Sequence, residues 1–157
     1  MKNSGKPILE RIMQYCADAE RCTHDVLTKL VSWGLPMEET EIILTKLKAE
    51  KFLDDHRYTT SYVKEKWNLG QWGKIKIENA LQLKNIDPVM TQQALTNIAQ
   101  EEYTEVLHDL LSKKQKEVTT SNKSDEARRI LMFALSCGFE EELIYKWLEE
   151  RGYEIEL

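Results

Sequence analysis

The sequence predicts an all-α protein: three tandem three-helix repeats forming an elongated, curved array. Three observations carry that expectation. Among 157 residues, 41% are hydrophobic and 31% charged, with only six Gly and three Pro. That is too apolar for a disordered chain and too poor in turn formers for a many-stranded β fold. Apolar residues also recur at helical spacing along most of the chain. The same pattern is then written three times, centred on Gly34, Asn85 and Gly138, with 51 residues between the first two centres and 53 between the last two.

The first unit opens with "ILERIMQYCADAE", where Ile8, Ile12, Tyr15, Cys16 and Ala19 make one apolar stripe over a helix at 8–19. "THDVLTKLVSWGLPMEETEIILTKLKAEKFLDD" then reads as helix, stop, helix. Thr23 is the expected N-cap, Val26, Leu27, Leu30 and Val31 face a core, and Gly34 suits a left-handed residue at the stop. Pro36 opens the third helix, whose inner residues are Ile42, Ile43, Leu44 and Leu47.

The second and third units open with helices at 56–67 and 101–112. Their stops, Asn85 and Gly138, are followed at once by Ile86 and Phe139, as Gly34 is by Leu35. Gly and Asn tolerate a left-handed backbone best. Eight and four residues before the stops stand Val26 and Leu30, Ile77 and Leu81, then Ile130 and Ala134; nine and ten after them stand Ile43 and Leu44, Ala94 and Leu95, then Trp147 and Leu148. Every one is apolar. The units are therefore 1–54, 55–100 and 101–157, with a polar loop near 112–126, "SKKQKEVTTSNKSDE".

Charge is unevenly placed. The net charge is -5, yet from 56 to 84 Arg57, Lys64, Lys66, Lys74, Lys76 and Lys84 oppose only Glu65 and Glu78, six minus two, or +4. From 140 to 157, seven Glu oppose Lys146 and Arg151, or -5. The chain is basic in the middle and acidic at the end. On a helical wheel Tyr58, Tyr62, Val63 and Trp67 share one half of their helix, Arg57 and Lys64 point outward, and Lys66 snorkels between. Ile75, Lys76, Asn79 and Leu83 lie opposite the Ile77–Leu81 seam. Trp72, Lys74 and Lys76 fall at a helix N-terminus, where free amides favour phosphate.

Several chemistries find no support. No apolar run approaches the roughly 20 residues of a membrane span. "MKNSGKPILERIMQ" lacks the apolar segment of a secretory leader, so a cytoplasmic protein is expected. Cys16, Cys22 and Cys137 suit neither a disulfide framework nor, with His24, a metal site. "GQWGK" lacks the spacing of a phosphate-binding loop, and His24, His56 and His108 stand alone without a nucleophile motif. Asp54 and Asp55, just before a helix, read as caps. The expectation is a protein without enzymatic activity or cofactor.

"KFLDDHRYTTSYVKEKW" followed by "QWGKIKIENALQLKNID" resembles the central repeat of the RecX family, bacterial modulators of the recombinase RecA. Phe52, Leu53, Asp54, Asp55, Arg57, Tyr58, Ser61, Tyr62, Val63, Lys64, Trp72, Gly73, Lys74, Lys76, Ile77, Leu81 and Ile86 match its pattern in order. The resemblance implies three three-helix repeats that lie in the groove of the RecA filament on DNA and alter ATP hydrolysis and strand exchange without doing chemistry. It implies binding of RecA or DNA by Arg57, Tyr62, Lys64, Lys66, Trp72, Lys74 and Lys76. Phe52, Leu53, Asp54, Asp55, Gly73, Ile77 and Leu81 would be the structural part of the motif. The expected partner is the RecA filament, with single- or double-stranded DNA bound weakly alone by a monomer. Two other readings of the basic strip stand beside it: an adaptor that binds only protein, and a helix-turn-helix protein with the Lys74–Lys84 helix in the major groove.

Overall fold

The structure, a computed structural model, describes residues 7–154. The basic start considered as a leader, up to residue 6, and the last three residues of the acidic tail lie outside the described residues. Among those described there are nine α-helices and no strand: α1 (Ile8–Asp18), α2 (Thr23–Ser32), α3 (Met37–Ala49), α4 (Asp55–Asn68), α5 (Lys74–Leu83), α6 (Pro88–Leu95), α7 (Gln100–Glu117), α8 (Lys123–Ser136) and α9 (Glu141–Glu150). Their principal contacts run within the successive triplets α1–α3, α4–α6 and α7–α9. No described helix is long and apolar enough to cross a membrane.

Each triplet turns on the same device. Gly34, Asn85 and Gly138 have φ of +82°, +56° and +92°. Their N–H groups bond the carbonyls of Val31, Gln82 and Leu135, while the next residue's N–H reaches back to Leu30, Leu81 and Ala134. This double closure satisfies the last helical carbonyls and drops an apolar residue onto the helix just ended. Val26, Leu30, Ile77, Leu81 and Ile130 are 0% exposed and Ala134 2%, so the seam read from the repeat is the buried seam.

The triplets divide the apolar interior unequally. Ile12, Val26, Leu30, Leu44, Leu47 and Leu53 form one core inside the first. The second and third share a single core, from Tyr58 through Tyr103 and Phe139 to Tyr153, which Cys22 also enters.

Some sequence expectations shift by one helical step. Val31 and Ile42 are 51% and 69% exposed, because the helical turn rotates them about 100° and about 200° from Leu30 and Leu44. The α3 seam is instead Thr40, Leu44 and Leu47. Ala19 falls past the end of α1 and is exposed. Cys22, not Thr23, is the N-cap of α2, with its N–H bonded to the Asp25 carboxylate at 3.3 Å.

The polar loop expected near 112–126 contracts to 118–122. Helix α7 runs on to Glu117 because Leu111, Gln115 and Val118 keep one face inward: Leu111 is 0% and Val118 5% exposed, and Gln115 donates to the Tyr153 hydroxyl. The Lys114 ammonium covers the Phe133 ring at 4.8 Å. The short loop is pinned by a buried carboxylate. Glu126 accepts from the Thr120 N–H at 2.6 Å and from the Tyr153 hydroxyl at 3.0 Å. The Thr120 amide holds the Glu126 carboxyl below its usual pKa, against the effect of burial.

Two outcomes are expected. Leu81→Ala removes a fully buried seam residue and should cost about 2–5 kcal/mol in urea denaturation. Because the folded pKa of Glu126 is depressed, its contribution to stability is complete above its unfolded pKa of about 4.3 and is lost as pH falls through the folded value. Melting temperatures measured down through that range should therefore fall more steeply for the wild type than for Glu126→Gln.

Candidate functional site

The motif surface is built where α5 begins. Gly73 sits with its backbone on the α8–α9 turn: a Cβ there would overlap the carbonyl carbon and oxygen of Gly138. This close approach lets the first amides of α5 reach the carbonyls that end α8. The Gly73 N–H bonds Cys137 O at 2.7 Å and the Ile75 N–H bonds Gly138 O at 3.0 Å. The Lys74 N–H takes the hydroxyl of Tyr103 at 2.9 Å, and that hydroxyl donates to Glu140 at 2.7 Å. Burial, then the bond to Glu140, pushes the Tyr103 pKa up and keeps it a phenol. A helix N-terminus thus meets a helix C-terminus, so both dipole ends are neutralised inside the protein.

This contact corrects one expectation. The first amides of α5, proposed for phosphate, are occupied by the third triplet, those of Gly73 and Ile75 by the Cys137 and Gly138 carbonyls and that of Lys74 by the Tyr103 hydroxyl.

The joint between the first two triplets has the same plan in different side chains. Fifty-one residues before Gly73 and Lys74 stand Cys22 and Thr23, at the start of α2. Asp55 of α4 accepts from the Thr23 N–H and hydroxyl at 2.7 and 3.0 Å, as Tyr103 of α7 accepts from Lys74. The α5–α6 turn supplies Lys84, paired with Asp25 at 2.6 Å, and Asn85, 3.1 Å from the His24 ring. Cys22 is fully buried, and burial pushes its thiol pKa up to about 11. Asp54 alone caps α4, accepting from the Arg57 N–H at 3.1 Å; Asp55, expected to cap, serves the joint.

Arg57 is committed to that joint as well. Its guanidinium pairs with Glu20 at 2.8 Å and bonds the carbonyls of Lys51 and Phe52, leaving little of it for a ligand. Lys64 is exposed, on the rim of a cleft of about 370 Å³. Trp67 lies in the cleft wall and donates to Glu102 at 3.3 Å. Tyr62 is half-buried and stacks on Tyr58, with centroids 5.8 Å apart. Trp72 packs half-buried on the shared core, with the ammonium groups of Lys66 and Lys76 4.9 and 4.3 Å from its ring. Lys74 lies 4.7 Å from the Tyr103 ring. Ile77, Leu81 and Leu53 are buried and Phe52 packs beside the first core.

Lys64, Lys66, Lys74 and Lys76 have no carboxylate partner among the described residues. Three of the four are instead seated on aromatic rings, which orient an ammonium without neutralising it. Ile75 and Leu83, 41% and 79% exposed, stand on the outer face of α5. No group of three metal-ligating side chains occurs among the described residues. Sequence reasoning singled out Trp72 and its lysines but missed Tyr103, Glu140 and the glycine-to-glycine contact. Tyr103 and Glu140 lie 29 and 66 residues from Lys74, and Gly138 lies 65 from Gly73, so only the folded chain brings them together.

A helical-repeat protein with a cationic surface is the class this fold and site define. Residues 54–95 match the family model described as RecX, second three-helix domain. A regulatory protein RecX from Limosilactobacillus reuteri is 27% identical over 129 residues, covering 82% of this chain and 49% of its own. One from Geobacillus kaustophilus is 22% identical over 147 residues, covering 94% and 55%. A crystal structure of a regulatory protein RecX superposes with a TM-score of 0.81 at 25% identity, covering 90% of this chain and 70% of that one. The chain is thus similar to RecX proteins, through the family model over its second triplet and through these relatives over most of its length, and it spans about half the length of the curated relatives it matches.

The two glycine positions should respond differently to one methyl group. Gly73→Ala, at an ordinary negative φ, must push backbone from backbone, and is expected to cost about 3 kcal/mol in urea denaturation. Gly34→Ala has open space around it and pays only for its positive φ, about 1–2 kcal/mol.

Proposed function

We propose that the chain is a non-enzymatic regulator of RecA, which lies against the RecA–DNA nucleoprotein filament and alters its ATP hydrolysis and strand exchange. The observation that carries this reading is the group of lysines around Trp72, held toward solvent on rings and free of carboxylates among the described residues. Lys64, Lys66, Lys74 and Lys76 meet DNA phosphates or acidic RecA side chains, and Tyr62 and Trp72 hold two of them in place. Arg57 contributes by fixing the joint beside them. The acidic third unit keeps away from DNA and faces RecA or solvent. The working division is 1–54, 55–100 and 101–157, and the protein acts as a cytoplasmic monomer without a cofactor.

The family supports regulation of RecA in general terms; the filament groove and the lysines are our assignment. The test is ATP hydrolysis by the cognate RecA on single-stranded DNA as the protein is titrated in, with a control lacking RecA. The expected result is a changed rate well below equimolar protein and no hydrolysis in the control. Reversing Lys64, Lys74 and Lys76 to Glu together should abolish the effect with helicity retained. A triple variant of unchanged potency overturns the lysine assignment, and no effect of the folded wild type up to equimolar amounts favours an adaptor that binds another protein.

A further inference from the structure

The first triplet carries a second set of cations seated on rings. The Arg21 guanidinium lies 3.9 Å from the centre of the Tyr15 ring, and Arg11 lies 4.1 Å from that of Trp33. The Lys29 ammonium lies between the two, 5.3 Å from Tyr15 and 5.9 Å from Trp33. None of the three has a carboxylate partner among the described residues, and the Arg11 Nε is buried without a hydrogen bond.

The repeat shows why this is the same face as the motif surface. Fifty-one residues after Tyr15 and Arg21 stand Lys66 and Trp72. Arg21 over Tyr15 and Lys66 over Trp72 are one cation–ring pair with its members exchanged. Arg11 corresponds in the same way to Tyr62, the second ring beside Lys66, at 5.4 Å.

The two sets join across the triplet boundary. A cleft of about 190 Å³ is walled by Tyr15, His24, Thr28, Lys29, Ser32 and Lys84, with Asp25 already paired to Lys84. Cations and rings therefore alternate in two stretches, Arg11, Trp33, Lys29, Tyr15 and Arg21 on the first unit and Tyr62, Lys66, Trp72 and Lys76 on the second, with the Lys84 cleft at the boundary between them. Two acids beside this line are paired, Asp25 with Lys84 and Glu20 with Arg57.

We propose that this line is one track for a nucleic-acid phosphate backbone, with Arg11, Arg21 and Lys29 forming an arm on the first unit that continues the lysines of the second. It rests on the preceding reading only for Lys66 and Lys76. The cations lie over the rings, so the rings are not free platforms for base stacking. The track reads charge and not base. The phosphate chemistry also explains the mode of holding. A carboxylate partner would neutralise each cation, whereas a ring orients it and leaves its charge for a ligand.

The test uses the protein alone with fluorescein-labelled dT and dC homopolymers of equal length, binding being followed by anisotropy as salt is raised. The wild type should bind both with affinities within about twofold, falling with salt at about 0.7 in log–log slope for each phosphate neutralised. Arg21→Gln with Lys29→Gln should flatten that slope by about 1.4 for both oligonucleotides, and Lys29→Gln alone by about half as much. Lys29→Arg should retain the wild-type slope. The single variant guards against misfolding, because Arg21 also holds the Tyr15 carbonyl.

A wild-type slope in the Arg21/Lys29 variants, with flattening in Lys66→Gln with Lys76→Gln, ends the track at the second unit and overturns the proposal while sparing the preceding reading. The reverse pattern upholds the first-unit arm and removes the lysine assignment. Absence of salt-dependent binding by the wild type, or a strong preference for one base, overturns the track outright.

Discussion

The structure depends on one place where two helix ends meet without side chains between them. Gly73 and Gly138 let the start of α5 touch the end of α8, and two amide-to-carbonyl bonds close the contact. Buried amides and carbonyls at helix ends need partners, and here each end supplies the other. The contact fixes where α5 points and hence where Trp72, Lys74 and Lys76 stand. It also sets Trp67, Tyr103 and Phe139 ring against ring, with centroids 5.2 and 5.1 Å apart, at the middle of the shared core. The glycine inside a basic stretch is thus a packing device. The lysines beside it are carried on a helix whose own phosphate-binding end is closed.

The two joints show how a repeat can keep its plan while changing its chemistry. Backbone meets backbone at the second joint, because both partners there are glycines. At the first, Cys22 and Asn85 occupy the equivalent places, and the gap is bridged by Asp25 with Lys84 and Asp55 with Thr23. A buried core spans the second joint, whereas the first has a single buried thiol and a ring of polar bonds. An exposed or partly exposed ion pair contributes far less than buried apolar area. The second and third units are therefore bound more tightly to each other than either is to the first.

Much of this was legible in the sequence. The three stops at Gly34, Asn85 and Gly138 all proved left-handed, and the apolar residues four and eight before them all proved buried, because local backbone demands and helical period are written in adjacent residues. Neighbour-to-neighbour detail was less legible. Val31 and Ile42 are apolar yet exposed, and Thr23 looks like a cap but bonds across a joint. Long-range pairing was not legible at all. Nothing in residues 71–76 shows that their amides end on Cys137 and Gly138, or that Arg57, matched to the family pattern, is held by Glu20. The cation–ring pairs of the first unit escaped because the repeat exchanges their members: a comparison by residue type finds Tyr15 aligned with Lys66 and sees no likeness, although the paired geometry is the same.

The division of labour among the bases resolves how an acidic chain presents a basic face. Arg57, Lys84, Arg128 and Arg129 are held by carboxylates, and their charge is neutralised within the fold. Arg11, Arg21, Lys29, Lys66 and Lys76 are held by rings, and theirs is not. Charges separated by more than a screening length of about 8 Å in physiological salt scarcely feel one another. Glutamates of the last unit beyond that distance therefore do not cancel the ring-held cations of the first two; Glu140, bonded to the Tyr103 hydroxyl beside Lys74, is not among them. Net charge of -5 describes the whole chain, whereas a ligand on that face meets the local arrangement, which the choice of partner for each base has already set.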